Sequence, residues 1–241
     1  MKTFTKAIID SHSKCGLTAM QWFTHMVDDV LAGFGLKLKT IPDSTVTAHL
    51  FELSGLYAQQ VIENKPFTDL LGPVYMDLIS QYHQQASGQF FTPVSICQLL
   101  ASINLGAAPV DLDNPRVLRI SDPAVGAGGL LLASLDHIAT RQGVDALKWI
   151  SITGIDVDHL CARMFPCQIL SALHVHQLTL GELVGYWGNT LGDLADLTLV
   201  CHYVREDLPA DDISPAGTDV HKSALVEQIQ GSRTVEQIEL F

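Results

Sequence analysis

Apolar residues recur at three- and four-residue intervals through the first third of the chain. Segments 19–36 and 45–64 both follow this spacing, which predicts two amphipathic helices separated by a Pro-Asp-Ser turn. A third helix is predicted over 67–83, before a polar run that ends at Gly88. Residues 1–87 are therefore expected to form a helical segment that covers one edge of the next domain.

From Gly88 onward, short apolar runs alternate with helical patterns. Strands are predicted at 116–120, 150–155, 175–180 and 197–200, and helices are predicted from Pro93 and over 130–141 and 158–173. Strand–helix alternation of this kind is typical of a parallel sheet wrapped by helices. The predicted fold class is therefore α/β, with a Rossmann-like sheet within residues 88–205.

The size and apolar content of the chain fit the predicted α/β fold. The 241 residues suffice for one α/β domain with a helical appendage, and 47% of them are hydrophobic. No uninterrupted apolar run approaches the ~20 residues needed to cross a membrane, and the first residues lack a signal-peptide pattern. We expect a cytoplasmic protein that does not insert into a membrane.

The cysteines predict neither disulfides nor a metal site. Their number is odd, five, and they are scattered along the chain. Cys161, Cys167, His174 and His176 follow one another closely, but their spacing matches no common zinc finger or ribbon. Buried thiols and ordinary histidines are the preferred interpretation.

The charge balance limits how the chain could hold DNA. The formal net charge is −12, and the 14 Lys and Arg residues do not cluster. A protein that grips DNA alone usually shows a basic face, because phosphate neutralisation dominates affinity. Action on DNA would therefore depend on a partner, and the alternative is that the chain does not hold DNA at all. Residues 206–241 are acidic at first and rich in Pro, Gly and Ser, which predicts a linker and tail.

A glycine-rich turn follows the first predicted strand. It runs from Asp122 to Gly129, and Asp156 ends the next strand. Glycines let a backbone approach a nucleotide-like ligand, the helix N-terminus offers free N–H groups, and an acid on the next strand can accept from ribose hydroxyls. The G-x-G-x-x-G spacing of dinucleotide-binding proteins is absent.

Four motifs resemble one family. The sequence DPAVGAGGLL, at 122–131, resembles the cofactor loop of N6-adenine DNA methyltransferases, and GQFFTP, at 88–93, resembles their second cofactor motif. GIDVD resembles the ribose-binding segment, and GNTL, at 188–191, resembles the segment before the catalytic strand. The order of the motifs and the preceding helices are similar to those of modification subunits of type I restriction systems. The resemblance spans roughly residues 60–205 and implies a class I methyltransferase that uses S-adenosylmethionine (SAM).

The resemblance also implies roles for individual residues. Those expected to line the methionine end of SAM are Phe90, Thr92 and Pro93, and those expected in the loop beneath it are Asp122, Ala124, Gly126 and Gly128. Asp156 would bind the ribose. Asn189 would lie near the adenine, although a simple turn residue is the alternative.

The catalytic tetrapeptide of the family has no match. Members carry Asn-Pro-Pro-aromatic, whose carbonyl groups orient the amine of the flipped adenine. The corresponding place reads Cys201, His202, Tyr203 and Val204. Cysteine is a poor acceptor, and neither His202 nor Tyr203 recreates the amide geometry. We expect adenine methylation to be weak or lost. An active enzyme with a diverged motif, completed by another chain, is the alternative.

A second short pattern resembles a different nucleophile motif. Pro166, Cys167 and Gln168 read like the Pro-Cys-Gln of cytosine-C5 methyltransferases, but they follow Asp156 too closely and fall inside a predicted helix. A buried Cys167 in a helix is the preferred interpretation. No target-recognition domain is apparent after residue 205, so DNA specificity is expected to come from another subunit.

The last five residues resemble a peptide that docks on the DNA polymerase sliding clamp of bacteria. The anchors would be Gln237, Leu240 and Phe241, carried on the acidic tail. The alternative is that the terminal Leu-Phe pair folds back onto the core. A clamp-binding interaction protein that no longer uses SAM is the remaining functional hypothesis.

Overall fold

The computed structural model describes residues 2–36, 44–82, 91–107 and 109–218. Four helices come first: α1 (Lys2–Asp10), α2 (Ala19–Gly33), α3 (Ser44–Glu63) and α4 (Leu71–Tyr82). Helix α1 was not predicted, whereas α2, α3 and α4 correspond to the three predicted helices. Phe90, Gln237, Leu240 and Phe241 lie outside the described residues.

Local hydrogen bonds explain where two of these helices begin. Thr18 and Gln21 form a capping box in which each side chain accepts a hydrogen bond from the other residue's backbone N–H. The carboxylate of Asp69 accepts the N–H of Gly72 at 2.9 Å, within the first turn of α4. This cap fixes the start of α4 at Leu71, later than the predicted residue 67.

The second part of the chain builds the sheet. Helix α5 (Val94–Leu105) precedes β1 (Leu118–Asp122), α6 (Gly129–Gln142), β2 (Ile150–Asp156), α7 (Cys161–Val175), β3 (Glu182–Trp187) and β4 (Thr198–Val204). The strand order is β1-β2-β3-β4, with β1, β2 and β3 parallel. The α/β class predicted from the alternating pattern is confirmed.

Two details of the predicted sheet are wrong. The strand expected at 175–180 does not exist, because α7 continues to Val175 and β3 begins only at Glu182. Strand β4 runs antiparallel to β3, so the sheet is mixed. The connection between them, residues 188–197, contains no α-helix. A parallel return needs a crossover of a dozen or more residues, so the chain turns back antiparallel.

One face of the sheet is covered by helices. A single hydrophobic cluster runs from Phe4 in α1 to Cys201 in β4, so the N-terminal helices and this face share one core. Phe165 of α7 lies directly over β2. A Cβ on Gly154 would stand 2.7 Å from the Phe165 ring, so the close approach of helix and sheet requires glycine there.

The opposite face is covered by a smaller cluster and by the chain after β4. The N–H of Ser214 donates to Glu182 at 2.8 Å, and the N–H of Gly217 donates to the Tyr186 hydroxyl at 2.6 Å. The described part of the predicted linker, 206–218, therefore lies against the sheet. Across the described ranges, no helix is both long and apolar enough to cross a membrane.

Candidate functional site

The turn between β1 and α6 lies at the carboxyl end of the parallel strands. Asp122 ends β1, and its carboxylate accepts the N–H of Ala124 at 3.0 Å. Gly126 has a φ of 55° and Gly128 a φ of 99°, left-handed conformations that favour glycine. Helix α6 then begins at Gly129, so its first N–H groups face the turn.

Asp156, at the end of β2, holds this turn in place. One carboxylate oxygen accepts the N–H of Gly126 at 2.8 Å, and the other accepts the N–H of Asp158 at 2.8 Å. The N–H of Val125 donates to the carbonyl of Ile155 at 2.9 Å. The predicted ribose residue and the predicted cofactor loop are therefore in direct contact.

A cavity of about 180 Å³ opens beside the turn. Its lining consists of Asp69, Phe91, Thr92, Cys97, Leu100, Asp122, Ala124, Val125, Gly126, Ala127, Gly129 and Leu130. The structure thus brings together Thr92, Asp122, Ala124 and Gly126 from two predicted motifs that are separate in sequence. Pro93 directly precedes α5 beside them.

The carboxylates around the cavity favour a positively charged ligand. Burial raises the pKa of Asp122, and the nearby Asp156 carboxylate raises it further. Burial also raises the pKa values of Asp69 and Asp156. Like charges and desolvation both disfavour ionisation, so a cation or a hydroxyl donor at the cavity would stabilise the charged forms.

Three residues at this site were not predicted. Asp69 and Phe91 line the cavity, and the Phe91 ring stacks on Tyr75 with centroids 5.3 Å apart. Gln168 is buried in α7. Its amide nitrogen donates to Asp69, just before α4, at 2.9 Å and to the carbonyl of Ala127, in the glycine-rich turn, at 2.8 Å. Gln168 therefore connects the helical segment to the glycine-rich turn.

An exposed apolar surface lies beyond Asp156. Trp187 pairs with Asp156 in the β2–β3 register, and its indole N–H donates to the carbonyl of Val157 at 3.0 Å. The His159 ring meets the Trp187 ring edge-on, with centroids 4.8 Å apart. Val157 and Trp187 are 69% and 40% exposed, which leaves apolar surface accessible next to Asp156.

Asn189 follows β3 in a loop that touches the glycine-rich turn. Its side-chain oxygen accepts the N–H of Leu191 at 2.9 Å, and the Thr190 hydroxyl donates to the carbonyl of Pro123 at 3.0 Å. The first hydrogen bond is the one that a turn residue makes. The contact of Asn189 with adenine stays a prediction.

The residues at the position of the catalytic tetrapeptide lie elsewhere. Cys201, His202 and Tyr203 are on β4, beyond β3, and line a separate cavity of about 530 Å³ with Phe34 and His174. Burial raises the pKa of Cys201 to about 12, and the His202 ring lies 3.0 Å from a Glu182 oxygen. The structure does not bring these three residues to the cavity beside Asp122.

The cysteines of the zinc-like pattern and of the nucleophile-like pattern lie inside α7. Cys161 and Cys167 are fully buried, and burial raises the pKa of Cys167 to about 12, so its thiol is neutral. Among the described residues, no group of three or more His, Cys, Asp or Glu side chains is placed to hold a metal ion.

Comparison with curated proteins finds similarity to restriction-system subunits. The chain is 36% identical over 78 residues to the type I restriction enzyme HindI methylase subunit of Haemophilus influenzae, covering 31% of this chain and 16% of that protein. It is 32% identical over 109 residues to the MpnII methylase subunit of Mycoplasma pneumoniae, covering 44% of this chain and 18% of that one. The chain thus matches less than a fifth of the length of either relative.

Two solved structures share a weak overall similarity with the chain. A Listeria monocytogenes protein described as a class I SAM-dependent methyltransferase is 14% identical, with a TM-score of 0.45 over 74% of this chain and 50% of that one. A type I restriction-modification methyltransferase subunit from Streptococcus thermophilus is 19% identical, with a TM-score of 0.33 over 65% and 36% of the two chains.

The family itself is established by sequence. The family model described as N-6 DNA Methylase matches residues 67–197, which is more than half of the chain. The matched range contains the turn from Asp122, Asp156 at the end of β2 and the loop at Asn189. This agreement confirms the resemblance given by the motifs and supports SAM as the cofactor. The chain belongs to the N-6 DNA methylase family.

Proposed function

We propose that this chain binds SAM at the cavity beside Asp122, and that it transfers the methyl group to adenine weakly or not at all. The contact between Asp156 and Gly126 carries the proposal, because it joins an acid that suits a ribose to a turn that suits a close-lying ligand. The chain would act through protein partners, which would also supply DNA recognition, and not through methyl transfer of its own.

The residues around the cavity fit the chemistry of SAM. Its sulfonium and ammonium groups are positive, and they would offset the burial and the repulsion from Asp156 that raise the pKa of Asp122. Thr92, Pro93 and Phe90 would surround the methionine end, and the turn through Ala124, Gly126 and Gly128 would lie beneath it. Asp156 would accept hydrogen bonds from the ribose hydroxyls. Bound there, SAM supplies an electrophilic methyl group.

The adenine of SAM would lie against the exposed apolar surface of Val157 and Trp187. That surface is adjacent to Asp156, as an adenine joined to the bound ribose requires. An aromatic or apolar face of this kind stabilises a base by stacking. Asn189 would add a polar contact, because the N–H of the adjacent Gly188 donates to the carbonyl of Asp156 at 2.9 Å.

Two observations support weak or absent methyl transfer. The Asn-Pro-Pro-aromatic sequence is replaced by Cys201, His202, Tyr203 and Val204. Each of the first three is also engaged away from the cavity: Cys201 is buried, His202 contacts Glu182, and Tyr203 lines a different cavity. Losing one positioned acceptor at a reacting group typically costs about 3 kcal/mol, or roughly a hundredfold in rate.

DNA would be reached through a partner subunit, as in a type I modification complex. The net charge of −12, with only 14 Lys and Arg residues that do not cluster in the sequence, disfavours unaided binding to DNA phosphates. The matched relatives are named as methylase subunits of type I restriction enzymes and are much longer than the matched segment. An active adenine-N6 methyltransferase completed by such a partner remains the alternative function.

Methyl transfer separates these two functions. Purified chain would be incubated with tritiated SAM and mixed-sequence DNA, alone and with the specificity subunit of a type I system. The proposal predicts that SAM binds to the chain in both reactions and that neither reaction yields labelled DNA. Labelled adenine that appears only when the second subunit is present would favour the alternative. Labelling by the chain alone would refute the proposed loss of activity.

The tail provides a further proposed partner, the DNA polymerase sliding clamp. Gln237, Leu240 and Phe241 lie outside the described residues, so this proposal is supported by their sequence alone. Immobilised clamp should retain the full chain and release a chain shortened by residues 237–241. Equal retention of both chains would refute clamp docking and leave SAM binding untouched.

A further inference from the structure

Helix α5 carries an apolar stripe that faces away from the protein. Ile96, Leu99, Leu100 and Ile103 are 44%, 53%, 37% and 67% exposed. They follow the i, i+3, i+4, i+7 spacing, which places four side chains on one face of a helix. This is the pattern of a helix face that packs against a core, yet among the described residues nothing covers it.

The opposite arrangement holds on the inner side of α5. Along the middle of the helix the attaching side chains are small: Cys97 and Ala101 pack against Ala133 and Leu130 of α6, while Leu105 at the end of α5 contacts the main core. The helix thus turns its two small residues inward along its middle and presents the four large residues of the stripe outward. Contiguous exposed apolar surface on a folded protein usually marks an interaction site.

The charge of the stripe indicates the class of partner. Helix α5 contains no charged residue, whereas the chain as a whole carries a net charge of −12. Phosphates or a membrane surface would call for Lys or Arg beside the apolar residues, and α5 has none. Two like-charged copies of the chain could meet with least repulsion at an uncharged surface.

The order of the side chains along the stripe indicates which protein would bind there. The stripe reads Ile96, Leu99, Leu100, Ile103, which is Ile-Leu-Leu-Ile from either end. A two-fold axis midway between Leu99 and Leu100 would place Ile96 of one copy against Ile103 of the other. A symmetric dimer requires a patch that is complementary to itself, and this stripe meets that requirement. We propose that two copies of the chain associate through antiparallel packing of their α5 helices.

The dimer would adjoin the cofactor cavity. Leu100 belongs to the stripe and also lines the cavity with Asp122 and Gly126. Packing at the stripe would cover the outer side of Leu100 and close that wall of the cavity. The proposal itself does not depend on SAM, because the stripe and its symmetry exist without it.

Sedimentation velocity of the full chain, from low to high micromolar concentration, tests the dimer. The unmodified chain should sediment as a dimer. Leu99→Glu with Ile103→Glu should shift it to a monomer, because a carboxylate in the apolar contact should weaken association by on the order of a hundredfold. Val94→Glu is the matched control: Val94 is 54% exposed but lies on the other side of α5, so this variant should remain a dimer.

A cysteine cross-link tests the symmetry. In a chain carrying Cys15→Ser, which removes the one exposed thiol among the described residues, Leu99→Cys should form a disulfide-linked dimer on oxidation. Val94→Cys should not. A chain that is monomeric at every concentration would overturn the proposal. So would a dimer that survives both glutamates, or one that cross-links equally through position 94.

Discussion

The carboxylate of Asp156 accepts the backbone N–H of Gly126 across 2.8 Å, and so joins the end of β2 to the glycine-rich turn after β1. The acid that would bind the ribose therefore also shapes the loop beneath the ligand. Two motifs that are 30 residues apart in sequence act as one unit. The consequences for binding and stability can be measured separately.

Replacing Asp156 by alanine should weaken SAM binding strongly. The change removes the acceptor for the ribose and frees the N–H of Gly126, and we expect a loss of about 2 kcal/mol, or roughly 30-fold in Kd. Calorimetric titration measures it. Asp193→Ala is the matched control, because Asp193 accepts an equivalent turn hydrogen bond from Ala195 away from the cavity. Equal losses in both variants would mean that Asp156 has no special part in binding.

Gly126→Ala should damage both stability and binding. The φ of 55° strains any residue with a Cβ, and that Cβ would stand 3.0 Å from the Phe91 ring, which lines the cavity. We expect a stability loss of about 2 kcal/mol and at least roughly tenfold weaker SAM binding. Thermal unfolding and titration report the two effects.

Gly143→Ala provides the comparison for Gly126. Gly143 has a φ of 87°, but an added Cβ there would meet nothing within 4 Å. This variant should lose stability through backbone strain and keep its SAM affinity. Weakened binding in both variants would show that backbone strain, and not crowding at Phe91, explains the result.

His202→Ala should leave SAM binding unchanged. His202 stands at the position of the missing catalytic sequence, but it contacts Glu182 and lines the cavity on the far side of β3. We expect a Kd within about twofold of the unmodified chain, since distant sites with no shared partners act independently. A tenfold change would place His202 in the cofactor site and contradict the geometry described above.

Stability should fall in acid because of one buried carboxylate. Glu182 is fully buried, which alone would raise its pKa, but hydrogen bonds from His202, Ser151 and Ser214 outweigh burial and lower the pKa to about 2. Its ordinary value is 4.5. A lowered pKa stabilises the folded state above the ordinary value, and this stabilisation is lost as the pH falls toward the folded value. The shift corresponds to roughly 3 kcal/mol.

The measurement is urea unfolding at a series of pH values between about 5 and 3. The unmodified chain should lose stability steadily on acidification. Glu182→Gln should be less stable near neutrality and show a shallower decline. An equally steep decline in the variant would assign the acid sensitivity to other carboxylates.

Much of this arrangement could be predicted because its causes are local. The turn from Asp122 to Gly129 needs glycines, and β2 alternates isoleucines with small residues before it ends in Asp156, so both features are visible in the sequence. β3 was misplaced because it contains Glu182 and Gly185, residues that are rare in strands. Glu182 is tolerated there because groups distant in sequence hydrogen-bond to it.

What the sequence could not show depends on contacts between distant residues. The antiparallel return of β4 depends on the absence of an α-helix between 188 and 197, and it places Cys201 away from Asp122. Gln168 was considered only as part of a short nucleophile-like pattern, yet its amide links Asp69 to the glycine-rich turn. No periodicity or spacing reports such a bridge.

Calorimetric titration of the unmodified chain with SAM tests the central claim most directly. Methionine and adenosine, titrated separately, serve as controls for the two halves of the ligand. The account predicts one site per chain with a micromolar Kd for SAM and much weaker binding of either half. No heat change and no rise in thermal stability at saturating SAM would contradict it.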